Sequence, residues 1–445
     1  WNTGLGAICD GAYWDFDIPS YPLELEKKGY HIGYTYKVWS PGKSHNAPYG
    51  VDRTKYEPCG HNFNYFSEVA TKRGKEIGVE AAKQELFDET RGNVKAFLQS
   101  VPEGKPFCYW WGPTNTHRTW ERGSGKSLWN LNPDDFKGRL PDFLPDTHDI
   151  REDFCDYIGE CQAIDKGIGI ILDELQEAGE LDNTLIVISG DHGVPGIPRA
   201  KCNLYNIGCE VTLAMRWPGK INKGRIIDDF VNLMDLGPTF MEAAGEKPID
   251  GMDGRSLLPV MLDEKNGQIE PERDHVILGR ERHVKQAREG FLPYPQRAIR
   301  TKDYLYIINF EPDRWPIGDP AGLDDLEKTP PPFEDFLTNT YIAYSDIDVG
   351  PTKAWMIHNR NKPEVRDLFH LSFGKRPYEE LYDLTNDEYY MNNVATDKKY
   401  AEVKQELNRR LLDHLEKYND PRTQEIPCRF EHSPYAGELQ AFQKY

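Results

Sequence analysis

The stretch Thr184-Leu185-Ile186-Val187-Ile188-Ser189-Gly190-Asp191-His192-Gly193 decides how this chain is read. Its first six residues carry no charge and are rich in β-branched side chains. Such a run fits a central parallel strand covered on both faces. It stops at Gly190 and then presents a carboxylate and an imidazole. In open α/β sheets, ligands gather at the carboxyl ends of strands.

Working outward, the pattern repeats. Upstream, Asp153–Ala178 reads as a long helix with Ile158, Ile164, Ile168, Ile171 and Leu175 at helical spacing, ended by Gly179. Downstream, Val211–Trp217 reads as another strand, stopped by Pro218-Gly219. Nearer the start, Gly29 closes a helix over Tyr21–Lys28, and the strand Tyr30–Thr35 then runs to Lys37. A buried strand over Phe107–Trp111 follows a helix around Val94–Leu98 and runs to Asn115-Thr116-His117-Arg118. Strands alternating with helices indicate an α/β sheet protein. Past residue 260 the character changes. Val276–Gly279 and the alternating Tyr304–Ile308 read as strands, Asp319–Asp335 as a Pro-rich acidic surface loop, and Lys399–Tyr418 as an amphipathic helix. The expected division is a catalytic domain over residues 1–275 and a smaller C-terminal α+β subdomain over 276–445, with a small antiparallel sheet and a terminal helix.

Composition limits the function. The chain has 445 residues, 54 Lys+Arg against 73 Asp+Glu, and a net charge of −19. That sign argues against nucleic acid as a partner and means that any anion site must be a local basic pocket. No apolar run is long enough for a membrane span. The eight cysteines include no C-x-x-C pair, and Cys155 and Cys161 sit on one helix at a spacing unsuited to a mutual bridge.

Three strand ends carrying ionisable residues point to one convergent site. Asp191 and His192 offer a metal one oxygen and one nitrogen, a pair that suits Zn²⁺ or Mn²⁺ better than Ca²⁺ or Mg²⁺; a plain surface turn is the alternative. Lys37 and Lys201 could each hold a tetrahedral anion as point charges, and His117 could act as a general acid. Singly, each reads as an ordinary residue, the two lysines as solvated loop side chains and His117 as a satisfied polar one.

Together these residues resemble the sulfatases. Gly29–Lys37 resembles their GY-x-T-G-x-x-GK segment, Gly104–Phe107 through Thr116-His117-Arg118 and Gly123-Ser124-Gly125 their KPFF…PHR…GSG segment, and Asn183–Gly193 their metal-binding segment. Asp235–Phe240, Asp253–Pro259 and Glu380–Leu384 resemble later motifs, in the same order. Arg199–Tyr205 and the tail from Arg297 resemble the N-sulfoglucosamine sulfohydrolase (heparan N-sulfatase) branch. The resemblance implies an alkaline phosphatase-like fold, a central mixed sheet between helices with the smaller subdomain beside it. It implies a divalent ion, usually Ca²⁺ though Mg²⁺ or another ion is open, with Asp191 and His192 as two ligands. It further implies that Lys37 and Lys201 bind sulfate and that His117 protonates the leaving atom or contacts sulfate. The implied nucleophile is a formylglycine hydrate made from Cys or Ser, which attacks sulfur in a sulfate ester or sulfamate, as on a sulfated saccharide.

The sequence departs from the pattern in three places. No C/S-x-P-x-R motif occurs, so the formylglycine is expected in an N-terminal segment missing from this sequence, and a chain of this extent alone is expected to be inactive. Trp39 stands where His is frequent, with His45 as a substitute, and Thr116 stands where Pro is usual. Arg280, Arg282, His283 and Arg297 are expected where the subdomain meets the site, reading a sugar carboxylate or second sulfate; ordinary surface charges are the alternative. The family implies a periplasmic, extracellular or lysosomal location. A phosphodiesterase or phosphonate hydrolase of the same superfamily, or a non-catalytic glycan-binding relative, stays open. So does the oligomeric state.

Overall fold

The computed structural model describes residues 19–38 and 51–432, apart from the side chains of Val51, Lys285 and His432. Cys9, Trp39 and His45 lie outside the described residues. In chain order come α1 (Tyr21–Lys27), β1 (His31–Tyr36), α2 (Phe66–Ile77), α3 (Val79–Ser100), β2 (Phe107–Gly112), α4 (Ser124–Trp129), α5 (His148–Glu177), β3 (Ile186–Ser189), α6 (Asn206–Cys209) and β4 (Leu213–Arg216). Then follow α7 (Leu236–Ala243), α8 (Leu258–Leu262), β5 (His275–Arg280), β6 (Gln296–Thr301), β7 (Tyr304–Asn309), α9 (Asp335–Thr338), α10 (Pro351–Asn359), α11 (Pro363–Phe373), β8 (Glu379–Asp383) and α12 (Ala401–Lys417).

β1 and β2 pair in parallel, from His31 opposite Phe107 to Tyr36 opposite Gly112. The crossover between them is α2 and α3, as parallel pairing requires. β3 and β4 pair with each other, but antiparallel. This corrects the reading of Thr184–Ser189 as a central parallel strand: among the described residues no strand lies on the other edge of β3. β3 and the predicted buried strand β2 are accordingly only half-buried along most of their length, with Trp110 39% exposed.

The long helix α5 starts five residues before its expected beginning. Of the predicted stripe Leu175 is buried, but the four isoleucines are half-buried, and most of the buried face is Gly159, Ala163 and Gly167 with Cys155, Asp156 and Glu160. Small residues are needed there because neighbours approach closely. A Cβ on Gly125 of α4 would fall 2.3 Å from the Cys155 carbonyl oxygen, and one on Gly167 would fall 2.5 Å from the Trp111 ring.

The second sheet is fully antiparallel, in the order β5-β6-β7-β8. Both faces are covered. α12 lays Leu407, Leu411 and Leu415 over Ile277, Ile299, Tyr306, Ile308 and Leu381. Full burial of each leucine contributes about 1.5–3 kcal/mol. The opposite face, with Ala298, Leu305, Ile307 and Tyr382, packs on Leu204 and Tyr205. The segment expected as an acidic surface loop is partly core instead. Leu323 is buried, and Leu326 and Phe333 partly so, against Tyr344, Ile347, Met356, Ile357, Phe369 and Phe373 in a cluster around α10 and α11, two helices the sequence reading missed. No helix among the described residues is long and apolar enough to cross a membrane.

Candidate active site

The site forms where β1, β2 and β3 end. β1 passes from Tyr36, at φ +69°, into Lys37, which lies against Gly112 at the end of β2. A Cβ on Gly112 would fall 1.9 Å from the Lys37 carbonyl oxygen, so only glycine allows this approach. Lys37 Nζ is 3.5 Å from Asp191 Oδ2, and the same oxygen is 3.5 Å from His192 Nε2. Gly193 packs so closely that a Cβ would fall 1.8 Å from the Ile207 carbonyl oxygen. His192 Nδ1 is 2.8 Å from the Gly193 carbonyl oxygen. A carbonyl only accepts, so Nδ1 carries the hydrogen and Nε2 keeps its lone pair. That leaves one carboxylate oxygen and one imidazole nitrogen side by side, with the imidazole oriented as metal-binding histidines usually are. The pair fits part of a divalent-ion shell. No group of three or more metal-ligating side chains occurs among the described residues.

Lys201 is the centre of the other half. Its Nζ donates to His117 Nε2 at 2.9 Å and to Asp348 Oδ2 at 3.0 Å. An ammonium has no acceptor, so Nε2 must accept; His117 Nδ1–H donates to the Arg118 carbonyl at 2.8 Å. His117 is therefore the neutral Nδ1–H tautomer. Desolvation and the Lys201 charge hold its pKa below the usual histidine value. The two halves share one field: Lys37 acts on His117, and Lys37 and Lys201 both act on Asp191 and His192.

The surroundings fix Lys201. Arg199, Asn203 and Tyr205 are buried anchors on either side of it. Arg199 lies 3.9 Å over the Tyr205 ring and donates to the Tyr390 carbonyl, Asn203 Oδ1 accepts from Arg376 at 2.6 Å, and Tyr205 donates to Glu380 at 2.7 Å. The loop of His117 is pinned by buried Asn115, which donates to the carbonyl and the carboxylate of Glu160.

Other candidates are placed differently. Arg118 is turned away into a bidentate pair with buried Asp153, stacked 3.7 Å over Trp120. His283 lies in the field of Lys201, Asp348, Asp346 and Arg280; burial and then Lys201 lower its pKa, and its buried Nδ1 has no hydrogen-bond partner among the described residues. Arg282 donates to the carbonyls of Phe291 and Phe430. Arg297 corrects the expectation of substrate contact. It is 0% exposed, and its guanidinium is engaged by Asp420 at 2.6 Å and Glu281 at 2.8 Å. It ties the sheet to the C-terminal segment. The residue the sequence did not disclose is Asp348. It sits in irregular backbone before α10, and the only hint was the acidic alternation Asp346-Ile347-Asp348 among apolar neighbours.

The sulfatase family profile matches residues 19–246. This chain belongs to the sulfatase family. A second profile, the C-terminal region of N-sulphoglucosamine sulphohydrolase, matches residues 199–341 of this sulfatase. Relatives include an ulvan-active sulfatase of Formosa agariphila, 26% identical over 297 residues, 66% of this chain and 44% of that protein. The N-sulphoglucosamine sulphohydrolase of Homo sapiens is 27% identical over 295 residues, 63% of this chain and 51% of that protein. The chain thus spans about half the length of these curated relatives. Among solved structures, one in complex with its substrate D-glucosamine-2-N,6-O-disulfate superposes with a TM-score of 0.62 at 17% identity, covering 96% of this chain and 87% of that one. The phosphonate monoester hydrolase of Silicibacter pomeroyi gives 0.56 at 18%, covering 98% and 88%. These likenesses establish the alkaline phosphatase-like sulfatase fold.

Proposed function

We propose that this sulfatase hydrolyses a sulfate ester or sulfamate on a sulfated saccharide. The observation that carries the reading is the placement of Lys201 Nζ on His117 Nε2 at 2.9 Å, in one electrostatic field with Lys37, Asp191 and His192. Two ammonium groups facing the same space suit the oxygens of one tetrahedral anion, and fixed charges there stabilise charge that develops during transfer. Asp191 and His192 would hold a divalent ion, calcium by family habit, which supplies further positive charge beside the transferring group. The family's nucleophile, a formylglycine, has no motif among these residues.

His117 handles the leaving atom. In the resting state Lys201 covers Nε2. An incoming anion draws the ammonium toward its own oxygens and raises the proton affinity of the imidazole. Protonated at Nε2, His117 then faces the ester oxygen or sulfamate nitrogen. An alkoxide or amide leaves poorly without that proton. His117→Gln is expected to lower kcat/KM on a sugar sulfate about 100-fold or more, and distinctly less on an aryl sulfate, whose leaving group needs no acid.

His283 is proposed to face the saccharide side of the site, with residues 1–275 as the catalytic unit and 276–445 as the subdomain; Arg282, buried and donating to the carbonyls of Phe291 and Phe430, is assigned to the fold. Its place of action is read as periplasmic, extracellular or lysosomal, where sulfated polysaccharides are met. A phosphonate monoester is the second candidate substrate, favoured by the superposition with the hydrolase of that class. Release of inorganic sulfate from sulfated oligosaccharides, lost with a chelator and restored by calcium, is the expected result. Faster turnover of a phosphonate monoester, or glycan binding with no sulfate release, would overturn the reading.

A further inference from the structure

Asp346 and Asp348 enter the same region from one short segment, two residues apart, and are used differently. Asp346 is enclosed, with a side chain 0% exposed. Its Oδ2 accepts from Arg280 at 2.6 Å and from Arg288 at 2.5 Å, and its Oδ1 accepts from the Val284 backbone. Both of its oxygens are engaged there. Asp348 uses only Oδ2, on Lys201. Its side chain keeps 11% of its surface open, and among the described residues the one hydrogen bond to its carboxylate is the one from Lys201 to Oδ2.

A carboxylate beside an anion-holding lysine works against anion binding unless it has another task. Anchoring Lys201 occupies one oxygen. The remaining oxygen is an acceptor next to the space where the sulfate would sit, and it can only be satisfied by a donor. A sulfate cannot be that donor. The carbon skeleton carrying the sulfate can, through a hydroxyl or amino hydrogen one carbon away from the sulfated position.

We infer that Asp348 is a specificity-determining residue: Oδ2 holds Lys201 while Oδ1 accepts from a hydroxyl or N–H adjacent to the sulfated carbon, so the site takes vicinally substituted saccharide sulfates. The inference rests on the sulfatase reading above. A site built to bond such a hydrogen rejects an analogue lacking it, because binding the analogue takes water from the acceptor oxygen and gives it no partner.

The test uses protein expressed from the complete coding sequence, with calcium, and a sugar sulfate compared with its mono-deoxy analogues. Wild-type kcat/KM should fall at least tenfold for the analogue lacking the adjacent donor. In Asp348→Ala that discrimination should shrink to less than about threefold, because the acceptor is gone. Asp348→Asn, whose side-chain oxygen can still accept from Lys201, should retain the fold by thermal melting and still lose discrimination against the deoxy analogue, since its NH₂ cannot accept. Discrimination unchanged in both variants, or absent from the wild type, would overturn the inference and leave Asp348 a mere anchor of Lys201. A wild-type protein that releases no sulfate from any of these compounds would instead remove the sulfatase reading on which it rests.

Discussion

At the scale of single residues, burial separates charges that act on a ligand from charges that act on the fold. Lys201 and Arg297 are both cations paired with carboxylates. Lys201 keeps an edge toward the site, whereas Arg297 is wholly enclosed between Glu281 and Asp420. Removing one partner of a buried ion pair strands the other charge and costs about 3–5 kcal/mol. Arg297→Ala should therefore lower the melting temperature clearly while leaving KM for a sulfated substrate unchanged in the protein that remains folded. A raised KM at full stability would return Arg297 to the substrate. The sequence could not make this distinction. Arg297 lies in β6, where both faces are covered, so alternation gave no sign of which side was water. Lys37, His117, Asp191, His192 and Lys201 were legible because three separate strands ended on ionisable residues, which sheet packing alone does not call for. Asp348 was not legible, since an irregular segment has no period to mark its inward side.

At the scale of elements, α5 carries the site on a pair of carboxylates. Asp156 accepts from the backbone of Gly123 and Gly125, and Glu160 from Ser67 and Asn115. Burial pushes both up to about 7, only partly offset by those hydrogen bonds. The folded state thus holds protons that the unfolded chain releases near pH 4. Stability from these groups is full below their unfolded pKa and is lost as pH rises toward 7. Asp346 and Asp348 act the other way. Burial raises their pKa, but Arg288 and Arg280 for the first and Lys201 for the second more than offset this, to about 2. Their contribution is lost as pH falls from about 4 toward 2. Denaturant melts from pH 3 to 8 should show greatest stability on the acid side of neutrality, declining toward pH 7 and flat above it. Glu160→Gln should reduce that decline. An increase in stability between pH 5 and 7 would contradict this account of α5. The helix itself was read from its periodicity, but its buried face was not. Gly159, Ala163 and Gly167 were chosen by close packing, and small residues leave little hydrophobic pattern.

At the scale of the molecule, the antiparallel sheet β5–β8 does more than add a second core. Its inner face presses Leu204 and Tyr205, directly after Lys201, while α12 seals the outer face. The segment after Lys201 is thus set by a part of the chain that lies well downstream of it. This explains why motifs from Gly29 to Leu384 were needed to recognise the family, and why the paired strands alone would not have sufficed. The parallel setting of β1 and β2 was evident from the intervening helices; the antiparallel return of β4 on β3 was not, because the apolar pattern of a strand does not record its direction.

The central claim is that Lys37 and Lys201 grip the same anion. A double-mutant cycle on kcat/KM for sulfate release from a sulfated oligosaccharide, with Lys37→Ala, Lys201→Ala and the pair combined, tests it directly. Each single variant should lose about 100-fold or more, and the double should lose clearly less than the product of the two. A single variant with wild-type kcat/KM, or losses that multiply in full, would contradict the claim.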